Sequence, residues 1–148
     1  MGRKEIAVNK KAYHNYFISD ETEAGLVLKG SEVKSIKSGH ISILESFVKI
    51  LREEAFLYNA YIKPYENSSV FVPDSRRTRK LLLHKKQIQH FKKKTEADGY
   101  AIVPLKVYFD NNGRVKIQIA LGKGKKLYDK RETLKKRTVE RNELRYIK

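Results

Sequence analysis

Residues 103–121 restrict the fold more than any other stretch. Val103, Leu105, Val107 and Phe109 alternate with Pro104, Lys106 and Tyr108. Val115, Ile117, Ile119 and Leu121 alternate with Arg114, Lys116, Gln118 and Ala120. A period of two gives each run one apolar face. Asn111-Asn112-Gly113 between them is turn chemistry, so the pair predicts an antiparallel hairpin. A lone hairpin is marginal in water, so its apolar face needs further strands or a helix.

The remaining chain offers them. The aromatic run 13–18 reads as a strand closed by Ser19-Asp20, with 23–28 following at hairpin distance. Residues 31–37 read as a short helix, with Ser31 as N-cap, Val33 and Ile36 on one face and Gly39 as its stop. Residues 41–50 and 55–62 read as strands joined through Arg52-Glu53-Glu54. A long loop, 64–79, closes with Arg76-Arg77-Thr78-Arg79. Residues 80–94 read as a helix placing Leu81, Ile88 and Phe91 on one face and ending at Asp98-Gly99. Residues 1–12 are polar and basic, and read as an arm ordered on binding.

This inventory predicts a mainly β fold: a six-stranded antiparallel barrel of the oligonucleotide-binding (OB) type with two or three added helices. Closing a sheet into a barrel removes its exposed edges. A half-open β-sandwich is the alternative. The expected organisation is a barrel domain over 1–121 and a basic tail over 122–148. Gly122-Lys-Gly-Lys-Lys126 at the junction reads either as a phosphate-gripping hinge or as the start of a disordered tail. The tail's good helix formers lack a continuous apolar stripe, so it is expected to be disordered when free and helical once a partner neutralises it.

Charge narrows the partner. The net charge of +16 lies entirely in two blocks: +9 over residues 76–94 and +7 over residues 122–148, the other 102 residues being neutral. A neutral scaffold with two basic surfaces suits a polyanion. Nucleic acid is favoured over anionic membrane, because neither block pairs its charge with a broad apolar face. The 148 residues contain no cysteine, which excludes disulfides and Cys-ligated zinc. No apolar run approaches the roughly 20 residues of a membrane span, and no signal peptide is recognisable at Met1–Ile6, so a cytoplasmic monomer is the expectation.

Catalytic constellations are missing. Gly-x-Ser-x-Gly occurs nowhere, and Gly124-Lys125-Lys126 lacks the hydroxyl and the upstream glycine of a phosphate loop. His84 and His90 are six apart and fall on different helix faces, so no metal site and no cofactor is expected. The expectation is a protein that is not an enzyme.

Five segments together resemble the small protein B family, whose members bind transfer-messenger (SsrA) RNA. They are 9–14 (NKKAYH), 23–35 (EAGLVLKGSEVKS), 79–84 (RKLLLH), 103–109 (VPLKVYF) and 124–131 (GKKLYDKR). The resemblance implies an OB-type barrel that carries the tRNA-like end of that RNA into a stalled ribosome for trans-translation. The partners it implies are transfer-messenger RNA, the small-subunit decoding region and mRNA channel, and an alanyl-tRNA-like entry with elongation factor Tu. It assigns RNA contacts to Glu32, Gly124, Lys125 and Lys126, with Arg79 and Lys80 beside them, and places His14 toward the decoding region. Glu32 is expected to accept hydrogen bonds from a guanine edge. Asp129, Lys130 and Arg131, with Tyr146 and Ile147, match the ribosome-engaging tail. His40-Ile41-Ser42 departs from the family's usual Lys-Ala-Asn, which puts an amide contact at Ser42 in doubt. A generic ribosomal or translation-factor barrel is the competing reading.

Overall fold

The computed structural model describes residues 4–64 and 73–125. The predicted hairpin is its backbone. Strands β8 (Ala101–Phe109) and β9 (Val115–Gly124) pair antiparallel along their length. The turn is held by Asp110, whose Oδ1 accepts the N–H groups of Asn112 and Arg114, and Gly113 takes the left-handed conformation (φ 77°).

Six strands close on themselves. β8 is followed around the ring by β4 (Phe47–Leu51), β5 (Glu54–Tyr58), β7 (Arg79–Leu82), β2 (Tyr16–Leu26) and β9, which returns to β8. Every pairing is antiparallel, and the result is an OB-like barrel. Inside lie Ala24, Leu26, Val48, Leu57, Leu81, Val107, Ile117, Ile119 and Leu121. The short strands β3 (Ile41–Ser42) and β6 (Tyr61–Ile62) pair separately. Helix α2 (Gly30–Lys37) contributes buried Ile36, and α3 (Lys85–Asp98) contributes buried Ile88 and Phe91. Gly39 (φ 81°) follows α2 and Gly99 (φ 71°) ends α3, as expected. Among the described residues no helix is long and apolar enough to cross a membrane.

Several expectations are corrected. Residues 4–8 form β1 (Lys4–Val8), which pairs with the far end of β8. Tyr13, His14 and Asn15 belong to α1 (Lys10–Asn15), which starts at Asn9. Asn9 is buried: its side-chain amide donates to the carbonyls of Ile43 and Pro104, and its Oδ1 accepts the Ala12 N–H. The predicted 13–28 hairpin is one strand, β2, with an irregularity between Ser19 and Thr22 and Asp20 at φ 54°. Helix α2 begins one residue before Ser31, so Ser31 is not its cap. Residues 79–82 are the strand β7, not the first turn of a helix, so Leu81 fills the barrel while Ile88 and Phe91 lie on α3. The 52–54 turn is present, with Arg52 and Glu53 both at positive φ.

Gly122 and Gly124 are strand residues paired with Ile18 and Tyr16, so Gly122 does not begin a tail. At Gly122 the missing side chain matters because the Tyr16 ring lies over it. An added Cβ would meet Tyr16 Cδ1 at 2.9 Å and its Cβ at 3.0 Å. Gly122→Ala is therefore expected to destabilise the barrel by about 1–3 kcal/mol, as overpacking does, and Gly124→Ala, with open space around it, to cost far less. Urea unfolding of the two variants checks the contrast.

Candidate nucleic-acid interface

Glu32 lies at the centre of a buried polar network. Its place in the first turn of α2 lets its Oε1 accept the Lys29 N–H at 2.8 Å, closing the start of the helix. The same carboxylate receives two arginines. Arg77 donates from Nε to Oε2 at 2.9 Å and from Nη2 to Oε1 at 2.7 Å. Arg79 donates to Oε2 from Nε at 3.0 Å and from Nη2 at 2.8 Å. Arg79 has 0% exposure and Glu32 3%. The remaining Arg79 N–H groups reach the carbonyls of Ala60, Arg77 and Ser75. Both carboxylate oxygens and the guanidinium are thus satisfied within the protein.

Burial by itself would raise the Glu32 pKa. Hydrogen bonds from Arg77, the Lys29 N–H and Arg79, with the Arg79 charge, outweigh it and hold the carboxyl below its usual range. Burial lowers the Arg79 pKa, opposed by Glu32, but a guanidinium keeps its proton at any ordinary pH. A guanine edge could reach Glu32 only by displacing these partners, and Arg79 offers no surface to RNA. In this geometry Arg79 is buried and Glu32 anchors both Arg77 and Arg79.

The other expected residues divide into two places. Lys80, exposed on β7, pairs with Glu54 at 3.2 Å. At the opposite end of the sequence order, Gly124 pairs with Tyr16, and Lys125 Nζ lies 3.4 Å from the Tyr13 carbonyl and 5.3 Å from the Phe17 ring centroid. Exposed His14 follows Tyr13 in the last turn of α1, so His14, Gly124 and Lys125 share one end of the barrel. Ser42 is half-buried in β3, and its hydroxyl accepts the Leu44 N–H at 3.5 Å. Lys126, Asp129, Lys130, Arg131, Tyr146 and Ile147 lie outside the described residues.

Three contributors escaped the sequence reading. Arg77 was visible only as one of a run of surface-like arginines. Lys123 carried a usable signal: the period of two through Val115–Leu121 continues to it, placing it on the inward face beyond the core. Lys123 Nζ lies 4.4 Å from the centre of the Tyr100 ring, and Lys94 Nζ lies 5.9 Å from it. Lys94 of the first basic block and Lys123 of the second, far apart in sequence, therefore meet on one aromatic ring.

An OB-like barrel with a lysine of each basic block gathered on one ring at its rim defines the class: a small barrel of nucleic-acid-binding architecture. The particular family follows from comparison. The family model "SmpB protein" matches residues 6–148, and the chain belongs to that family. An SsrA-binding protein of Persephonella marina is 53% identical over 141 residues, covering 95% of this chain and 92% of that protein. One from Enterococcus faecalis is 52% identical over 145 residues, covering 98% and 94%. A solved structure described as "tmRNA-SmpB: a journey to the center of the bacterial ribosome" contains a chain 44% identical to this one. It covers 89% of this chain and 92% of its own, with a TM-score of 0.70.

Glu32→Ala is expected to cost about 3–5 kcal/mol, because it strands a buried guanidinium. The pH dependence has a definite sign. A carboxyl held below its usual value near 4.5 stabilises the fold above that pH, and the contribution is lost as pH falls through the lowered value. Chemical denaturation between pH 7 and pH 3 should show this loss in the natural protein and a weaker one in Glu32→Gln.

Proposed function

We propose that this chain is an RNA-binding adaptor that captures the tRNA-like domain of transfer-messenger RNA and delivers it to stalled ribosomes for trans-translation. The meeting of Lys94 and Lys123 on Tyr100 carries the reading, since it brings together one lysine from each of the two blocks that hold the net charge. Family membership and the SsrA-binding relatives support the choice of RNA. Capture and delivery rely on shape and charge, with no bond made or broken, so the proposed role is non-enzymatic and cytoplasmic.

Phosphates would lie along the basic rim, where Lys123 and Lys125 supply affinity, and Lys126, outside the described residues, is expected to add to it. His14, at the same end, would face the decoding region. Glu32 would act indirectly: by holding Arg77 and Arg79 it fixes β7 against α2, and with them the surface that exposed Lys80 occupies. The tail from Asp129 to Lys148 would enter the mRNA channel, where phosphates neutralise its basic side chains and favour a helix.

Competition binding tests capture. A tRNA-like transfer-messenger domain should outcompete random RNA of equal length at physiological salt. Log affinity should fall with log salt by about 0.7–0.9 per neutralised phosphate. Equal affinity for the two RNAs would overturn selective capture. Truncation after Tyr128 should leave RNA binding intact and abolish tagging of stalled chains in a reconstituted translation reaction; full tagging would overturn the role given to the tail.

A further inference from the structure

A groove opens where the barrel is joined most loosely. β4 and β8 share one partner pair, Val48 and Ile102, whereas β4 pairs with β5 along its whole length. Past Val48, toward Leu51, β4 has no β8 partner, and α3 packs across the gap against both strands. The space left is a groove of about 350 Å³. Val48, Ile50 and Ile102 give it apolar surface, and the rings of Phe47 and Tyr100 line it too. Phe47 is fixed by Tyr58, its direct partner on β5: the two rings are parallel to within 3° with centroids 5.3 Å apart. The lysines of α3 at the groove are already paired, Lys92 with Glu53 at 2.9 Å and Lys94 with Asp98 at 3.6 Å. Two exposed charges in the lining are not. Lys49 and Glu96 make no ion pair or hydrogen bond among the described residues. The Lys49 ammonium lies 5.6 Å from the Phe47 ring centroid, and Glu96 acts on Lys92 through its charge alone.

We propose that this groove holds one unpaired base of the RNA, guanine in preference to the others, with Glu96 accepting hydrogen bonds from its edge and Lys49 taking an adjoining phosphate. The proposal rests on the RNA-binding reading above and adds the element recognised, a single base turned out of a loop, bulge or strand end. Three features of the lining select that occupant together. The apolar floor suits a flat ring system, the carboxylate without a donor calls for N–H groups, and the ammonium without a counter-ion calls for an anion. One nucleotide carries all three. Ligand pockets span about 300–1,000 Å³, so the groove is at the small end, which suits one base better than a segment of peptide. A base inside a duplex has its edge engaged by its partner and cannot enter. Guanine follows from the carboxylate. Its N1–H and its amino group point the same way, side by side, and meet both oxygens of Glu96. Adenine and cytosine present one amino group beside a ring-nitrogen acceptor, and uracil one N–H between two carbonyls, so an acceptor faces the second oxygen in each.

The sign of one substitution separates this site from general charge attraction. Glu96→Gln removes a negative charge from an exposed position of a chain of net charge +16, so electrostatics alone predicts equal or tighter binding to RNA. Loss of the base contact predicts the reverse. Affinity of the full chain for the tRNA-like domain of transfer-messenger RNA should fall about 5- to 150-fold, the worth of a bidentate base contact. Lys49→Gln should make the slope of log affinity against log salt shallower by about 0.7–0.9, one phosphate's worth. Both side chains are exposed, so both variants should keep the natural melting temperature. A second measurement needs no variant: backbone amide NMR of the natural protein titrated with GMP and, separately, with UMP. GMP should move the amides of residues 47–50 and 95–102 at lower concentration than UMP. Glu96→Gln binding the RNA as tightly as the natural protein, or more tightly, would overturn the site. So would the absence of GMP shifts at the groove, and in both cases RNA capture would stand. Failure of the natural protein to prefer the tRNA-like domain over random RNA would instead overturn the underlying RNA-binding reading.

Discussion

One buried carboxylate organises much of the barrel. Glu32 lies in the first turn of α2, and Arg79 starts β7, the strand that closes the ring between β5 and β2. Their ion pair joins the helix that follows β2 to the strand that pairs with it. Arg79 then ties in the Ala60 and Ser75 carbonyls, and Arg77 reaches the Val27 carbonyl at 3.4 Å. Taking two charges out of water is expensive, and the attraction between them offsets that cost only when the remaining donors are also satisfied. Here they are. Such a pair adds little net stability over a well-packed apolar substitute, but neither partner can be removed alone.

This arrangement changes how acidity is used on a chain of charge +16. An acid among basic residues near an RNA-binding surface invites the idea of base recognition. Its surroundings also give it a structural part, in which a negative charge lets two arginines pack close to each other and to the core. The exposed cations that remain then face solvent from a rigid frame. Their summed field would steer a polyanion toward the rim, an effect that weakens steeply with ionic strength. Lys123 and Lys125 are held at the rim against Tyr100 and Phe17, while Lys94 on Tyr100 also pairs with Asp98 at 3.6 Å.

The hairpin β8–β9, the stops at Gly39 and Gly99 and the closed β architecture were legible because each is written in local pattern: alternation, turn chemistry or a glycine required at positive φ. The one-strand nature of β2 was not, since Ser19-Asp20 is sound turn chemistry, and only pairing with β9 draws it into a bulge. Residues 80–82 looked helical because lysine and leucine favour helices, whereas Leu81 is claimed by the barrel interior and the segment pairs with β5. β1 was hidden because Lys4 and Glu5 are polar and its ordering comes from the free edge of β8. At the site, Lys123 could be read from periodicity. The burial of Arg79 could not, because an arginine inside a basic run is almost always a surface residue and its carboxylate partner lies 47 positions away.

The RNA that accompanies the chain out of a cell tests the central claim most directly. The full-length protein would be purified at near-physiological salt and its bound RNA sequenced against total RNA. Capture of a tRNA-like domain predicts that one RNA species, transfer-messenger RNA, is enriched far above tRNA and ribosomal RNA. A bound fraction that mirrors total cellular RNA would contradict the account and leave only a basic barrel without a chosen partner.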